Sequence, residues 1–270
     1  MRSKPWPLHD LGDPSHPVIV FLHGFMGLGQ DWKKIALPLS ERYYCLFPDL
    51  PGHGENLLDA QPGYVAWATA LRETLHARGL KYVNLVGYSM GGRLALYFSL
   101  KYPEMVEGLV LESVNPGITA PEGRQERAVW DDKNAAKIQS EGLASFLIDW
   151  YEMPLFASLK NNPGLKDELR YQRALHNPEN MARVIRHLSP GRQPSLWERL
   201  PDLSPSTLLV AGLLDEKYTK VSRQMAEIIP DCELALIPGC GHNAHLEQPD
   251  LYGEIIQKWL YSGKDISNPN

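Results

Sequence analysis

Cysteine is scarce. Cys45, Cys232 and Cys240 are three among 270 residues, an odd number without CxxC or CxxH spacing, which excludes a disulfide framework and a zinc knuckle and fits a reducing compartment. Basic charge is also short: 27 Lys and Arg face 32 Asp and Glu, a formal net charge of -5, whereas a dedicated nucleic-acid binder carries a basic surplus to meet phosphates. No apolar run approaches the ~20 residues of a membrane span. The opening MRSKPWPLHDLGDPSHP lacks the apolar core of a signal peptide. No cofactor-binding or metal-ligating motif stands out. These absences set the expectation of a soluble, cytoplasmic protein that works on a small molecule without a cofactor, a metal, nucleic acid or a membrane. Nothing in the residues speaks to oligomeric state.

What is present reads as an α/β chain. Short β-branched, aromatic and apolar runs at Val18 to Leu22, Tyr44 to Phe47, Val83 to Val86, Leu109 to Leu111, Thr207 to Ala211 and Leu234 to Ile237 predict buried parallel strands. Helical segments such as Tyr64 to Ala77 and Gly92 to Lys101 alternate with them, as in a mostly parallel, doubly wound sheet. Strands are then missing from Asn115 to Ser206, where helical patterns run at Gln125 to Gln139, Leu143 to Tyr151 and Asn180 to Leu188. Residues 1–115 and 207–270 are therefore expected to form the core, and 116–206 a helical lid over the carboxyl ends of the strands. The tail from Ser262 to Asn270 is expected to fray.

The stretch Gly87, Tyr88, Ser89, Met90, Gly91 is a G-x-S-x-G sequence between a predicted strand and a predicted helix, the context in which a strained turn exposes a nucleophilic serine. A serine hydroxyl needs a neighbour to take its proton. Asp215 and His242 each follow a predicted strand, on the same edge of the sheet as Ser89. Asp215 would orient His242, and His242 would accept the Ser89 proton. His245 competes for the role, but it opens a helical pattern and is assigned a structural one. The backbone amides of Phe25, in HGFMG after the first strand, and of Met90 would form an oxyanion site. His23, Asp49 and His53 read as loop-holding residues. HGFMG, PDLPGHG, GYSMGG, GLLDEKY and GHNAHLEQP resemble, in order and spacing, the α/β-hydrolase superfamily.

Arginine is concentrated in the strandless region, which holds 8 of the 14 in the chain but is balanced there by acids, 12 Lys and Arg against 12 Asp and Glu. Three pairs lie three residues apart: Arg124 with Arg127, Arg170 with Arg173, Arg183 with Arg186. That spacing brings two guanidinium groups toward one helical face, where they can grip carboxylates. One or two of the six are expected to reach a pocket. Arg93, four residues after Ser89, either lies one turn from the reacting oxygen or pairs with an acid and faces away.

HGFMGLGQDW, GYSMGGR, NPG with a following R-x-x-R, DWYEMPLFASL and PGCGHNAHLEQP together resemble the 2-succinyl-6-hydroxy-2,4-cyclohexadiene-1-carboxylate synthases, lyases of menaquinone and phylloquinone biosynthesis. The resemblance implies that Tyr88, Ser89, Arg93, Arg124 or Arg127, Trp150 and Arg173 line the site, with Arg124 slightly favoured over Arg127. It also implies a substrate with three carboxylates: a cyclohexene bearing a ring carboxylate, a succinyl group and an enolpyruvyl ether. Proton removal beside the succinyl ketone would expel pyruvate without an acyl-enzyme. Two other readings share the same triad: a carboxylesterase, thioesterase or C–C bond hydrolase acting through an acyl-enzyme, and a small-ligand receptor. Inward-facing lid arginines favour the lyase, and an apolar lining favours the hydrolase.

Overall fold

A computed structural model describes residues 6–56 and 63–262. Seven strands form one sheet in the order β1-β3-β2-β4-β5-β6-β7: β1 Leu8–Leu11, β2 Val18–Leu22, β3 Tyr44–Pro48, β4 Val83–Tyr88, β5 Val106–Glu112, β6 Ser206–Gly212 and β7 Cys232–Ile237. All neighbours pair in parallel except β1, which runs antiparallel along β3 at the edge. The predicted strands therefore all occur. β1 was not anticipated, because only the two ends of its four residues are even partly buried.

Side chains of a strand alternate between faces, and the apolar runs divide accordingly. Val18, Val20 and Leu22 join one cluster with α2 (Tyr64–Ala77) and α3 (Ser89–Lys101), whereas Ile19 and Phe21 join a second with α1 (Lys33–Leu39) and α9 (Pro249–Ser262). Both faces of the sheet are thus buried, which is why β2 reads as an unbroken apolar run.

Between β5 and β6 the chain is helical: α4 Pro121–Trp150, α5 Pro163–Ala174 and α6 Pro178–His187. The two helices expected at 125–139 and 143–151 form one element broken at Gly142 (φ 81, ψ 169), a backbone region essentially restricted to glycine. The segment shares its apolar residues, among them Ile138, Phe146, Leu159 and Met181, with the cluster on the α2 and α3 face of the sheet. After β6 come α7 Glu216–Ala226 and, after β7, α8 Ala244–Glu247. Ser262 ends α9; the rest of the tail expected to fray lies outside the described residues.

Candidate active site

The turn at Ser89 is built by close approach. Ser89 has φ 48, a left-handed conformation that is strained for a residue with a side chain. The helix it starts packs backbone to backbone: a Cβ on Gly91 would lie 2.3 Å from the Leu22 carbonyl oxygen, and one on Gly87 would lie 2.6 Å from the Gly92 Cα. Any larger residue at either place would push α3 away from β2 and β4 and take Ser89 with it.

His242 and Asp215 meet Ser89 at the carboxyl ends of β7 and β6. His242 Nε2 lies 3.1 Å from Ser89 Oγ, and Nδ1 lies 2.7 Å from Asp215 Oδ2. A carboxylate accepts, so His242 donates from Nδ1 and presents Nε2 as the acceptor for the serine hydroxyl. Asp215 also caps α7, accepting the Tyr218 amide on its other oxygen. The loop carrying His242 is pinned twice: the Glu247 carboxylate accepts the Gly241 and Asn243 amides, and Ser113 Oγ donates to the His242 carbonyl. His245 is held by buried Glu112, 2.9 Å away, with its ring stacked on Trp32 at 4.4 Å. Glu112 is not recognisable from sequence pattern, since the sheet brings it to His245 from 133 residues away, whereas Glu247 serves its own loop from four and six residues away.

Around these groups lies a cavity of about 540 Å³, within the range of small-molecule sites. Phe25, Tyr88, Ser89, Met90, Arg93, Arg127, Trp150, Arg173, Asp215 and His242 all line it; Arg124 does not. The preference for Arg124 is corrected on this point. Its turn of α4 is covered by Gly191, whose Cβ would lie 2.4 Å from the Arg124 carbonyl oxygen. Of the six paired arginines, Arg127 and Arg173 are the two among the lining residues; Arg170 pairs with Asp167, and Arg186 with Asp132.

Each lining arginine has protein partners. Arg93 is buried and donates to the Tyr64 hydroxyl, to Gln193 Oε1 at 3.1 Å and to the Leu188 carbonyl at 3.1 Å, all neutral acceptors. It does not turn outward to an acid. Arg127 pairs with Asp131 at 2.9 Å. Arg173 donates to both oxygens of Asp31, at 3.2 and 2.5 Å. Burial alone would raise the Asp31 carboxyl, but the Arg173 charge and hydrogen bonds outweigh it and leave it below its ordinary value. Asp131 was recoverable from its i,i+4 spacing to Arg127; Asp31, 142 residues from Arg173, was not.

Aromatic side chains complete the wall. Trp150 packs edge-on against Phe25 at 5.6 Å and tilted against Phe156. The Tyr88 hydroxyl is bound to Asn243, and its ring fills the space above Gly24, where a Cβ would come within 2.5 Å of it. Tyr88 therefore shapes the wall with its ring while its hydroxyl is held by protein. Burial, followed by nearby Glu112, pushes that hydroxyl well above its usual pKa. Lys217 and Tyr218 were not singled out in the sequence and both line the cavity. Burial lowers the Lys217 ammonium, with Arg127 acting in the same direction. Among the described residues, no three His, Cys, Asp or Glu are grouped to hold a metal ion, and no helix is long and apolar enough to cross a membrane.

Residues 19–255 match the model of the Alpha/beta hydrolase family. The chain is 35% identical over 238 residues to 2-succinyl-6-hydroxy-2,4-cyclohexadiene-1-carboxylate synthase of Escherichia coli O1:K1 / APEC, covering 88% of this chain and 91% of that one. It is 32% identical over 253 residues to the synthase of the same name from Pectobacterium atrosepticum, covering 93% and 97%. In structure it is similar to MenH from S. aureus, with a TM-score of 0.90 at 32% identity over 96% of this chain and 99% of that one.

Proposed function

The chain belongs to the alpha/beta hydrolase family, among the 2-succinyl-6-hydroxy-2,4-cyclohexadiene-1-carboxylate synthases, and on that premise we propose that it is a carbon–oxygen lyase. It eliminates pyruvate from an enolpyruvyl cyclohexene tricarboxylate to give 2-succinyl-6-hydroxy-2,4-cyclohexadiene-1-carboxylate, a step toward menaquinone or phylloquinone. The cytoplasm suits its unpaired thiols, of which Cys45 and Cys240 are buried.

Ser89 is the base, its proton drawn off by His242, and Asp215 holds the imidazole in the required tautomer and stabilises its charged form. The C–H bond beside the succinyl ketone breaks, its electrons move through the ring, and the C–O bond to the enolpyruvyl group breaks at the far end. The leaving enolate takes up a proton and becomes pyruvate. Negative charge builds on the ketone oxygen, where the Phe25 and Met90 amides receive it. Such donors are typically worth about 3 to 4 kcal/mol each, and the Met90 amide adds the positive end of α3. Arg127, Arg173 and Lys217 meet the peripheral carboxylates. Residues 116–206 act as a lid that carries the two arginines and Trp150 to the reacting edge of the sheet.

One observation carries this reading: Arg93, buried one helical turn from Ser89 and lining the cavity, has neutral acceptors and no carboxylate partner among the described residues, so no acid offsets its charge there. An esterase pocket for uncharged acyl groups has no use for that charge. The test is to incubate the protein with the enolpyruvyl substrate and follow pyruvate, then repeat with Ser89→Ala and His242→Ala. Each variant should lose at least about 10³-fold in rate while keeping its thermal midpoint. Retention of most activity in either one removes the triad from the mechanism, and faster turnover of a nitrophenyl ester than of the enolpyruvyl substrate makes the protein a hydrolase.

A further inference from the structure

Three buried histidines converge on the loop that carries the Phe25 amide. His23 Nδ1 lies 2.7 Å from the Gly24 carbonyl, the Met26 amide donates to His53 Nε2 at 3.1 Å, and His176 Nε2 lies 2.7 Å from the Met26 carbonyl. Their rings meet edge-on, His23 to His53 at 4.8 Å and His53 to His176 at 5.4 Å. A carbonyl can only accept, so His23 donates from Nδ1 and His176 from Nε2. The Leu50 amide in turn donates to His23 Nε2 at 2.9 Å. Burial lowers all three, His23 to about 4. They are therefore neutral near pH 7, as His53 must be to accept from Met26.

The residue that His53 and His176 grip is unusual. Met26 has φ 59 and is 1% exposed, a conformation that persists in a side-chain-bearing residue only when its surroundings fix it. Its amide is fixed by His53 from the neighbouring loop, but its carbonyl is fixed from 150 residues away by His176, just beyond α5. The same helical segment also touches the loop through Trp150 on Phe25 and Arg173 on Asp31. Those are side-chain contacts; His176 holds the main chain.

We infer that His176 is a positioning residue for the reaction, which fixes the Met26 carbonyl from the helical segment and thereby aims the adjoining Phe25 amide at the developing oxyanion. This rests on the reading of Phe25 as an oxyanion donor. Loss of the His176 bond frees Met26 to relax toward negative φ, which turns the Phe25–Met26 peptide off His53 and, through the Phe25 Cα, shifts the preceding Gly24–Phe25 peptide that carries the donor amide. Substrate carboxylates held by the arginines are not affected.

His176→Ala and His176→Gln decide the matter, because a glutamine amide can place its NH2 near the position of Nε2. For pyruvate release, His176→Ala should lower kcat about 10- to 100-fold, short of the 10²- to 10³-fold seen when an oxyanion donor is removed outright, with KM changed less than about twofold. His176→Gln should recover most of kcat. A second readout is the rate at which Ser89 Oγ displaces nitrophenolate from a small alkyl nitrophenyl phosphonate, whose phosphoryl oxygen enters the same oxyanion site; it should fall by a similar factor in His176→Ala. If the wild-type protein releases no pyruvate but phosphonylation still slows in His176→Ala and recovers in His176→Gln, the lyase reading fails and the positioning role stands. The role is overturned if both rates in His176→Ala stay within twofold of wild type, if His176→Gln is as impaired as His176→Ala, or if the loss appears only in KM.

Discussion

Removing either partner of the Asp31 and Arg173 pair should destabilise the protein more than removing both. The two side chains are 10% and 5% exposed and share two hydrogen bonds, at 3.2 and 2.5 Å. Asp31 also accepts the Leu28 amide at 3.0 Å. Asp31→Asn strands a buried guanidinium and Arg173→Met strands a buried carboxylate, each a loss of about 3 to 5 kcal/mol. At roughly 2 to 4 °C per kcal/mol for a chain near this size, the midpoint should fall by about 10 °C in each. The double variant leaves no orphaned charge and should be no less stable than either single one, a coupling of about 3 kcal/mol. Urea unfolding at pH 7, followed through the seven tryptophans, reads these values directly if the slope is unchanged. The pH dependence has a defined sign. Because the folded Asp31 carboxyl lies below its unfolded value of 3.8, its contribution is present above that pH and is lost as pH falls through the folded value. The gap between wild type and Asp31→Asn should therefore persist at pH 5 and shrink only below about pH 4. Additivity of the two single losses within about 0.5 kcal/mol would refute the claim that the groups act as a pair.

Arg93→Met should reduce kcat/KM for pyruvate release by about 10- to 150-fold, the equivalent of a lost charged hydrogen bond of about 1.5 to 3 kcal/mol, with the thermal midpoint as the control for folding. Unchanged kinetics would mean that its charge never meets the substrate. His23 should stay neutral down to about pH 4 in a titration of its ring by NMR. Since unfolded histidine takes up a proton near 6.5, this residue removes about 3 kcal/mol of stability as pH falls from 6.5 to 4; a ring that titrates near 6.5 would show that it is not buried as described. Gly142→Ala meets no atom within 4 Å, so the expected loss of about 1 to 3 kcal/mol comes from backbone strain alone. Unaltered unfolding would show that the break in α4 does not depend on its dihedrals.

Much of this architecture was legible because it is local. The parallel strands announce themselves as apolar runs, the break at Gly142 separates two helical patterns, and the serine turn is a five-residue pattern whose glycines have steric reasons. His242 could be preferred to His245 from the glycine turn before it and the helix pattern after it. What stayed hidden depends on partners distant in sequence. Residues three apart on a helix are turned by about 60° from each other, so the choice between Arg124 and Arg127 depends on which side of α4 faces the cavity, and spacing alone does not give that. The acids Asp31 and Glu112 look like ordinary loop and strand-end residues until the sheet carries Arg173 and His245 to them. β1 escaped because an edge strand of four residues has too little burial to leave a pattern.

The cavity lining carries Arg93, Arg127, Arg173 and Lys217 against Asp31, Asp131, Asp215 and Glu216, so the lining has no formal excess of either charge. For a substrate with three carboxylates this looks self-defeating only if tight binding is the goal. Positive charge that grips the peripheral carboxylates equally before and during the elimination raises affinity and leaves the rate unchanged. An unscreened cluster of four cations would also stabilise the Ser89 alkoxide and so weaken it as a base toward a carbon acid. Asp131 and Asp31, placed on Arg127 and Arg173, moderate both effects and lock the guanidinium groups in position; each still has further N–H donors for substrate. Arg93 has neutral acceptors instead, and it is the arginine one turn from Ser89. The two acids thus balance the lid arginines and leave Arg93, on α3, and Lys217 as the lining cations without an ion pair among the described residues, so that in the proposed reaction the charge nearest Ser89 is the one not already offset.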